Sequence, residues 1–312
     1  MKQEVECFFG IEPYKTYRAY FNVYTAFPLS TETGIGTVNT IRYNRFNTTF
    51  TGGVGLKVDY DEVFDYTLGA PTVSAANLDQ TLIIVVPNST DYGGICQMWE
   101  SGAAIAFCPL STYEYPFDTR GVVQHEAGGH GFGKLGDEYI YHNAFIDACG
   151  CTCCPHADEL RAYLAMGWYE NLSLTGKMHS VGWSHLIYDD RYSDIVDIFE
   201  GGYMHSRGVF RSEQNSCMNN DIPYYSTISR QSIVKRIKRY AHNGYGLCTQ
   251  HGDYSHRRLA GWCRDTIRQG LSSDHRCTSG RRHELFCHHR SAALGQSCAA
   301  RRGSDEWREL FL

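Results

Sequence analysis

Residues 124–139, QHEAGGHGFGKLGDEY, place two histidines five positions apart in a glycine-rich string. Nothing else in the chain restricts the local fold so strongly. In a regular α-helix a spacing of five turns the second imidazole roughly 140° away from the first. His125 and His130 reach a common point only if the helix holds an extra residue in a widened turn. Such π-type turns are frequent at functional sites. Gly128 and Gly129 lie inside the insertion and lower the steric cost of the distortion. Gly-Gly is poor helix sequence, costing about 1 kcal/mol per Gly relative to Ala. The string therefore reads as a distorted turn rather than a plain helix.

Those residue types suit a particular chemistry. A zinc peptidase needs two imidazoles on one side of a helix, a carboxylate beside the attacking water, and a third ligand from nearby. The usual form is H-E-x-x-H, because residues four apart share a helix face. Here His125 and His130 are the imidazoles and Glu126 is the carboxylate. Gly133 lets the chain reverse, and Asp137 and Glu138 follow. In the metzincin pattern a Gly lies three residues past the second His and the third ligand six past it. Gly133 takes the first of these places, but Gly136 takes the second and has no side chain to offer. Asp137, one later, is the first choice for third ligand and Glu138 the runner-up. A second arrangement has Glu126 and His130, four apart, as the ligand pair. It ranks lower because it leaves the water without a base.

At 312 residues the chain can bury a full core. Its net charge of −5, without a basic block before residue 240, points away from a nucleic-acid partner. No run of about 18 apolar residues occurs, so no membrane span is expected. The 22 Tyr and 15 Phe favour strands and aromatic surfaces over a helical bundle. The N-terminal residues show no apolar signal region and read as strand-like. They suggest a fragment whose upstream part, with any signal, is missing. Residues 18–27 read as a strand, and 37–51 as a strand or exposed loop. Residues 59–67 have apolar positions at helical spacing. Residues 80–87, QTLIIVVP, suit a central strand covered on both faces. Residues 94–107 look like two short strands near a sheet edge. Asp118 is placed to cap the helix through VVQHEAGGH. Residues 156–166 read as another helix, and 221–240 as a third, with Asp221 or Ser226 as cap. The expected class is α/β (α+β): a mixed sheet, an active-site helix and a mostly irregular C-terminal subdomain.

Composition breaks at residue 240. Residues 241–312 hold no Lys, yet half of the chain's Arg and His. The expected organisation is a catalytic domain over 1–240 and an unstructured or out-of-frame tail over 241–312. Four of the 13 Cys (Cys149, Cys151, Cys153 and Cys154) crowd into six residues. Their spacing does not match the usual paired zinc framework, so one or two structural disulfides are the preferred reading.

HEAGGHGFGKLGDEY resembles the active-site signature of the IgA peptidase family of secreted bacterial zinc metallopeptidases, which reads H-E-x-G-H, a Gly-containing turn and D-E-Y. The flanks agree: an apolar strand followed by Tyr92-Gly93-Gly94 upstream, and EGGY, GVFR and Ser-Cys-Met downstream. The likeness covers about residues 8–240, and the extra Gly is the departure. A similar spacing, also continuing H-G-x-G-K-L, occurs in dipeptidyl peptidase III. The resemblance implies a metzincin-like fold, a Zn2+ cofactor held by His125, His130 and Asp137, and Glu126 as general base. It implies a protein or peptide substrate, with immunoglobulin A or other host glycoproteins as candidates. It also implies a secreted or bacterial cell-surface location. Met218 matches the Met beneath a metzincin zinc site, and is as readily a plain core Met. Tyr203 and Tyr139 are candidate oxyanion donors. His179, His185 and His205 read as surface or packing residues. Two further functions stay open: a zinc exopeptidase, and a non-catalytic metal-containing surface or glycan-binding protein. An intact Glu126 argues against the last, since a structural site needs no base.

Overall fold

The computed structural model describes residues 2–52, 55–147, 156–244 and 308–311. The chain runs through α1 (Lys2–Phe9), β1 (Tyr24–Ala26), β2 (Thr49–Phe50), β3 (Leu56–Lys57), α2 (Tyr60–Thr67), β4 (Leu82–Val86), β5 (Ile95–Met98) and β6 (Ala104–Phe107). Helix α3 (Thr119–Val122) continues directly into a π-helix (Val123–Phe132). There follow β7 (Ile140–Phe145), α4 (His156–Ala165), β8 (Leu172–Ser173), α5 (Ser184–Ile187), β9 (Phe199–Gly202), β10 (Met204–Arg211), α6 (Cys217–Asn220), α7 (Thr227–Gly244) and β11 (Arg308–Phe311). The class is mixed α/β, as expected.

The main sheet has the order β1-β11-β4-β6-β5. β4 pairs with β6 in parallel, and β5 pairs with β6 antiparallel at the sheet edge. Every residue of β4 is buried. Side chains alternate across a strand. Leu82, Ile84 and Val86 thus join Val123 and Ala127 of the π-helix and Phe8 and Phe9 of α1 in one cluster. Ile83 and Val85 join Phe46, Phe50 and Val63 in another. The continuous apolar run therefore is a strand covered on both faces, and its first face positions the π-helix. The C-terminal part places a small sheet, β7-β10-β8 with β9 also paired to β10, among short helices and connections, and ends its described core in the 18-residue α7.

Three expectations need correction. The first residues are helical: Val5, Phe8 and Phe9 follow i, i+3, i+4 spacing, and the two Phe residues pack on Tyr14 and Phe21. Residues 18–27 supply only the short strand β1, after a 3₁₀ turn at Arg18–Tyr20. The third helix begins at Thr227 rather than 221. Pro223 disfavours helical geometry at Ile222. Asp221 instead ends α6 in the left-handed conformation (φ 58°), while Ser226 Oγ lies 3.4 Å from Ser229 N at the start of α7. Helix α2 forms as read, with Asp59 capping Glu62 N. The Cys149–Cys154 cluster lies outside the described residues, as does most of the tail. Of the latter, the end of α7 and β11 are described. Cys7, Cys108 and Cys217 are free thiols.

Candidate metal centre

Asp118 Oδ1 accepts from Gly121 N at 2.8 Å and starts the helix that carries the site. From Val123 the helix widens into the ten-residue π-helix. An i→i+5 repeat places residues five apart about one turn apart, so His125 and His130 lie on one face. Their ring centroids are 4.9 Å apart. Two glycines allow the tertiary contacts that accompany this geometry. A Cβ on Gly129 would run into Met218 Sδ, and one on Gly128 into the Tyr225 hydroxyl. Tyr14 Oη donates to Gly128 O at 2.6 Å, and Tyr225 Oη donates to Gln124 O. Carbonyls that the wide turn turns outward thus find buried donors.

Beyond Phe132 the chain reverses through Gly133 and Lys134 (φ 51°) and returns Asp137 to the helix face. Asn171 holds this return by accepting from Gly136 N at 2.9 Å and donating to Gly136 O at 2.8 Å. Asp137 Oδ1 then lies 3.1 Å from His125 Nε2 and 3.2 Å from His130 Nε2. One ligand atom from each of the three residues lies within 4.8 Å of the others. The outer nitrogens are also engaged. His130 Nδ1 is 2.7 Å from Leu135 O. His125 Nδ1 is 3.0 Å from Cys217 O and 2.8 Å from Asp221 Oδ1. Such outer contacts fix the ring orientation of metal-binding histidines. The donor set of two imidazoles and a carboxylate suits a divalent metal ion with a further coordination place open.

Electrostatics point the same way. Burial disfavours charge on both imidazoles, yet the Asp221 and Asp137 carboxylates outweigh it at His125, and Asp137 does so at His130. Both stand above the ordinary imidazole pKa. The pocket attracts positive charge. Burial also raises the Glu126 carboxyl, against the pull of both histidines. Glu126 Oε2 is buried with no hydrogen-bond partner among the described residues. Its side chain lies against Gly94, where a Cβ would come within 2.8 Å of Cγ and 3.0 Å of Oε1. The residue beside β5 therefore has to be glycine for the carboxylate to sit there.

Glu138 is turned elsewhere. It is fully buried, accepts from Asn171 Nδ2 at 2.9 Å and from Ser216 Oγ at 2.5 Å, and burial pushes it up to about 7. It braces the return of the chain and stands apart from the three grouped residues. Met218 is fully buried under the helix at Gly129, and its carbonyl accepts from Glu138 N at 2.7 Å. The Tyr139 ring is stacked near His125, at 6.3 Å between centroids. Tyr203 is buried between Tyr169 and His156, and its N–H donates to Asp137 O at 2.8 Å. The sequence reading had no signal for Asp221 beyond that of a helix cap. Its contact with His125 arises from a segment 96 residues away. Gly94 was noted only as part of a flank. Among the described residues, no helix is long and apolar enough to cross a membrane.

No curated protein matches the chain. A family comparison covers the segment that holds the two histidines, Glu126 and Asp137: residues 1–147 match the IgA Peptidase M64 family, the one recognised in the sequence, and the match marks the chain as a metallopeptidase, a hydrolase of peptide bonds.

Proposed function

We propose that the protein is a zinc endopeptidase in which His125, His130 and Asp137 hold the metal and Glu126 is the general base. The observation that carries this reading is the convergence of three ligand atoms beside a buried carboxylate oxygen without a partner. When bound, zinc supplies a Lewis acid that polarises the scissile carbonyl and brings the pKa of a coordinated water to about 7. Glu126 Oε2 takes a proton from the attacking water and delivers it to the leaving amine. Asp221 and the Cys217 and Leu135 carbonyls orient the two imidazoles. Met218 supports the turn at Gly129 from below, in the manner of a metzincin. The edge strand β5, adjoining Gly94 and Glu126, is suited to pairing with an extended substrate backbone. Tyr139, stacked near His125, is the better placed of the two tyrosines for an oxyanion; Tyr203 is packed into the interior. The substrates are assigned as extracellular proteins, with IgA-like glycoproteins first, and the site of action as secreted or on the cell surface.

The test is zinc content by elemental mass spectrometry, with cleavage of long peptides blocked at both ends. One zinc lost from both His130→Ala and Asp137→Ala, together with chelator-sensitive internal cleavage, is the expected result. Zinc retained in Asp137→Ala would move the third ligand elsewhere. Cleavage only of peptides with a free terminus would replace the endopeptidase by an exopeptidase.

A further inference from the structure

The loop after β4 meets the metal centre at two points. Gly94 makes room for Glu126, because a Cβ there would come within 2.8 Å of Glu126 Cγ. Two residues earlier, Tyr92 Oη donates to Asp221 Oδ2 at 3.3 Å. The other oxygen of the same carboxylate, Oδ1, lies 2.8 Å from His125 Nδ1. His125 turns its opposite nitrogen, Nε2, toward Asp137. A chain of polar contacts thus runs from Tyr92 through Asp221 to His125 and joins three distant segments of the sequence.

We propose that Tyr92 is a positioning residue of the metal centre, its hydroxyl holding the Asp221 carboxylate in the orientation that fixes the His125 ring. The inference rests on His125 being a metal ligand, as proposed above. A carboxylate on the outer nitrogen of a metal-binding imidazole orients the ring only as well as the carboxylate is itself held. The Asp221 backbone lies in the left-handed region (φ 58°), which Asp is among the few side chains to tolerate. Its N–H donates to Cys217 O at 3.1 Å, and its C=O accepts from Arg120 Nη1 at 3.3 Å. Those contacts fix the backbone and leave the side chain to turn about its own bonds. Tyr92 takes Oδ2 while His125 takes Oδ1, and the two-point hold removes that freedom. Tyr92 is anchored in turn. Its ring centroid is 5.5 Å from that of Tyr113 and 5.5 Å from that of Phe117, the latter edge-on at 77°. Burial and the Asp221 carboxylate raise its hydroxyl above the ordinary phenol range, so it keeps its proton and donates at neutral pH. One loop therefore sets two groups, the base through Gly94 and a ligand through Tyr92. Phenylalanine at position 92 would keep the ring and its packing and lose only the donor.

The experiment is a double-mutant cycle on the full chain: wild type, Tyr92→Phe, Asp221→Gly and the double variant, with His130→Ala as reference. Glycine suits the left-handed backbone at 221 and removes both carboxylate oxygens. Circular dichroism checks folding. Zinc affinity is measured against a competing chelator, and kcat and KM on a blocked peptide. Tyr92→Phe should weaken zinc binding about 3–10-fold, less than the 10–100-fold typical of groups that touch the ligand itself. KM should stay the same. In the Asp221→Gly background the same substitution should change nothing further, since the residue through which Tyr92 acts is gone. Unchanged zinc affinity in Tyr92→Phe would overturn the inference. So would an equal fall in both backgrounds, which would mean that Tyr92 acts by another route. A raised KM with unchanged zinc affinity would overturn it too, and would place the hydroxyl on the substrate. In each of these cases zinc bound by wild type and lost in His130→Ala leaves the proposed metal centre standing. No zinc in folded wild type, or zinc retained in His130→Ala, would defeat that centre and the role of Tyr92 with it.

Discussion

Two pairs of histidines in this protein have nearly the same mutual geometry in different surroundings. His125 and His130 sit among Glu126, Asp137 and Asp221, and their pKa values are raised despite burial. His205 sits beside His156 and His142, and burial and these neighbours push it down to about 4 against the pull of Asp147. Burial acts in the same direction on His125, His130 and His205. Carboxylates decide the difference, because an opposite charge nearby can exceed a desolvation penalty. The first pair gathers positive charge next to the buried Glu126 carboxylate. Lys134, at the end of the π-helix, is a third case. It is buried over the Trp168 ring with no hydrogen-bond partner for its amine among the described residues, and burial lowers it to about 7.

The comparison can be broken most severely at Glu126. Glu126→Gln should lower kcat/KM for peptide cleavage by about 10²–10⁴-fold while zinc content stays unchanged. Loss of zinc in this variant would make Glu126 a ligand, the arrangement ranked second from the sequence. Lys134→Met tests how a buried charge fares without a carboxylate. The unfolded lysine binds its proton up to about pH 10.5 and the folded one only to about 7. Wild-type stability should therefore rise with pH between those values. The variant should lose that slope and gain roughly 4 kcal/mol at pH 7, measured by calorimetry at pH 7 and 10. An unaltered slope would show that Lys134 keeps its charge inside. Asp221→Asn removes a carboxylate from His125 without removing a proposed ligand. Metal affinity, measured against a competing chelator, should fall about 10–100-fold. An unchanged affinity would assign the positive bias of the pocket to Asp137 alone. Gly129→Ala should have the smallest effect, a destabilisation of about 1–3 kcal/mol from overpacking against Met218. A neutral result in chemical denaturation would mean that Met218 moves aside easily, which weakens its supporting role.

Much of the first site was legible because it is short. His125, Glu126, His130, Gly133 and Asp137 lie within 13 residues, and spacing alone implied a widened helical turn and a chain reversal. The ten-residue π-helix and the convergence of His125, His130 and Asp137 follow that logic. β4 was equally readable, since five buried apolar residues in succession leave a strand few alternatives. The same local reading failed at Asp221, where a good capping residue was assigned to the wrong helix. Pro223 stops a helix from starting there, and the side chain reaches His125 instead. His205, read as a surface or packing histidine, is fully buried.

The sequence alone determined a histidine-bearing helix with an extra residue in its turn, a covered central strand and a peptidase resemblance, because each depends on residues close together in the chain. Tertiary structure alone decided which carboxylate turned inward, Asp137 rather than Glu138, since Asn171 and Ser216 occupy the latter. It also set His156 against His205 and made His142 the register partner of His205, because the start of a distant helix and strand register bring them there. Such long-range contacts leave no periodic trace in the chain.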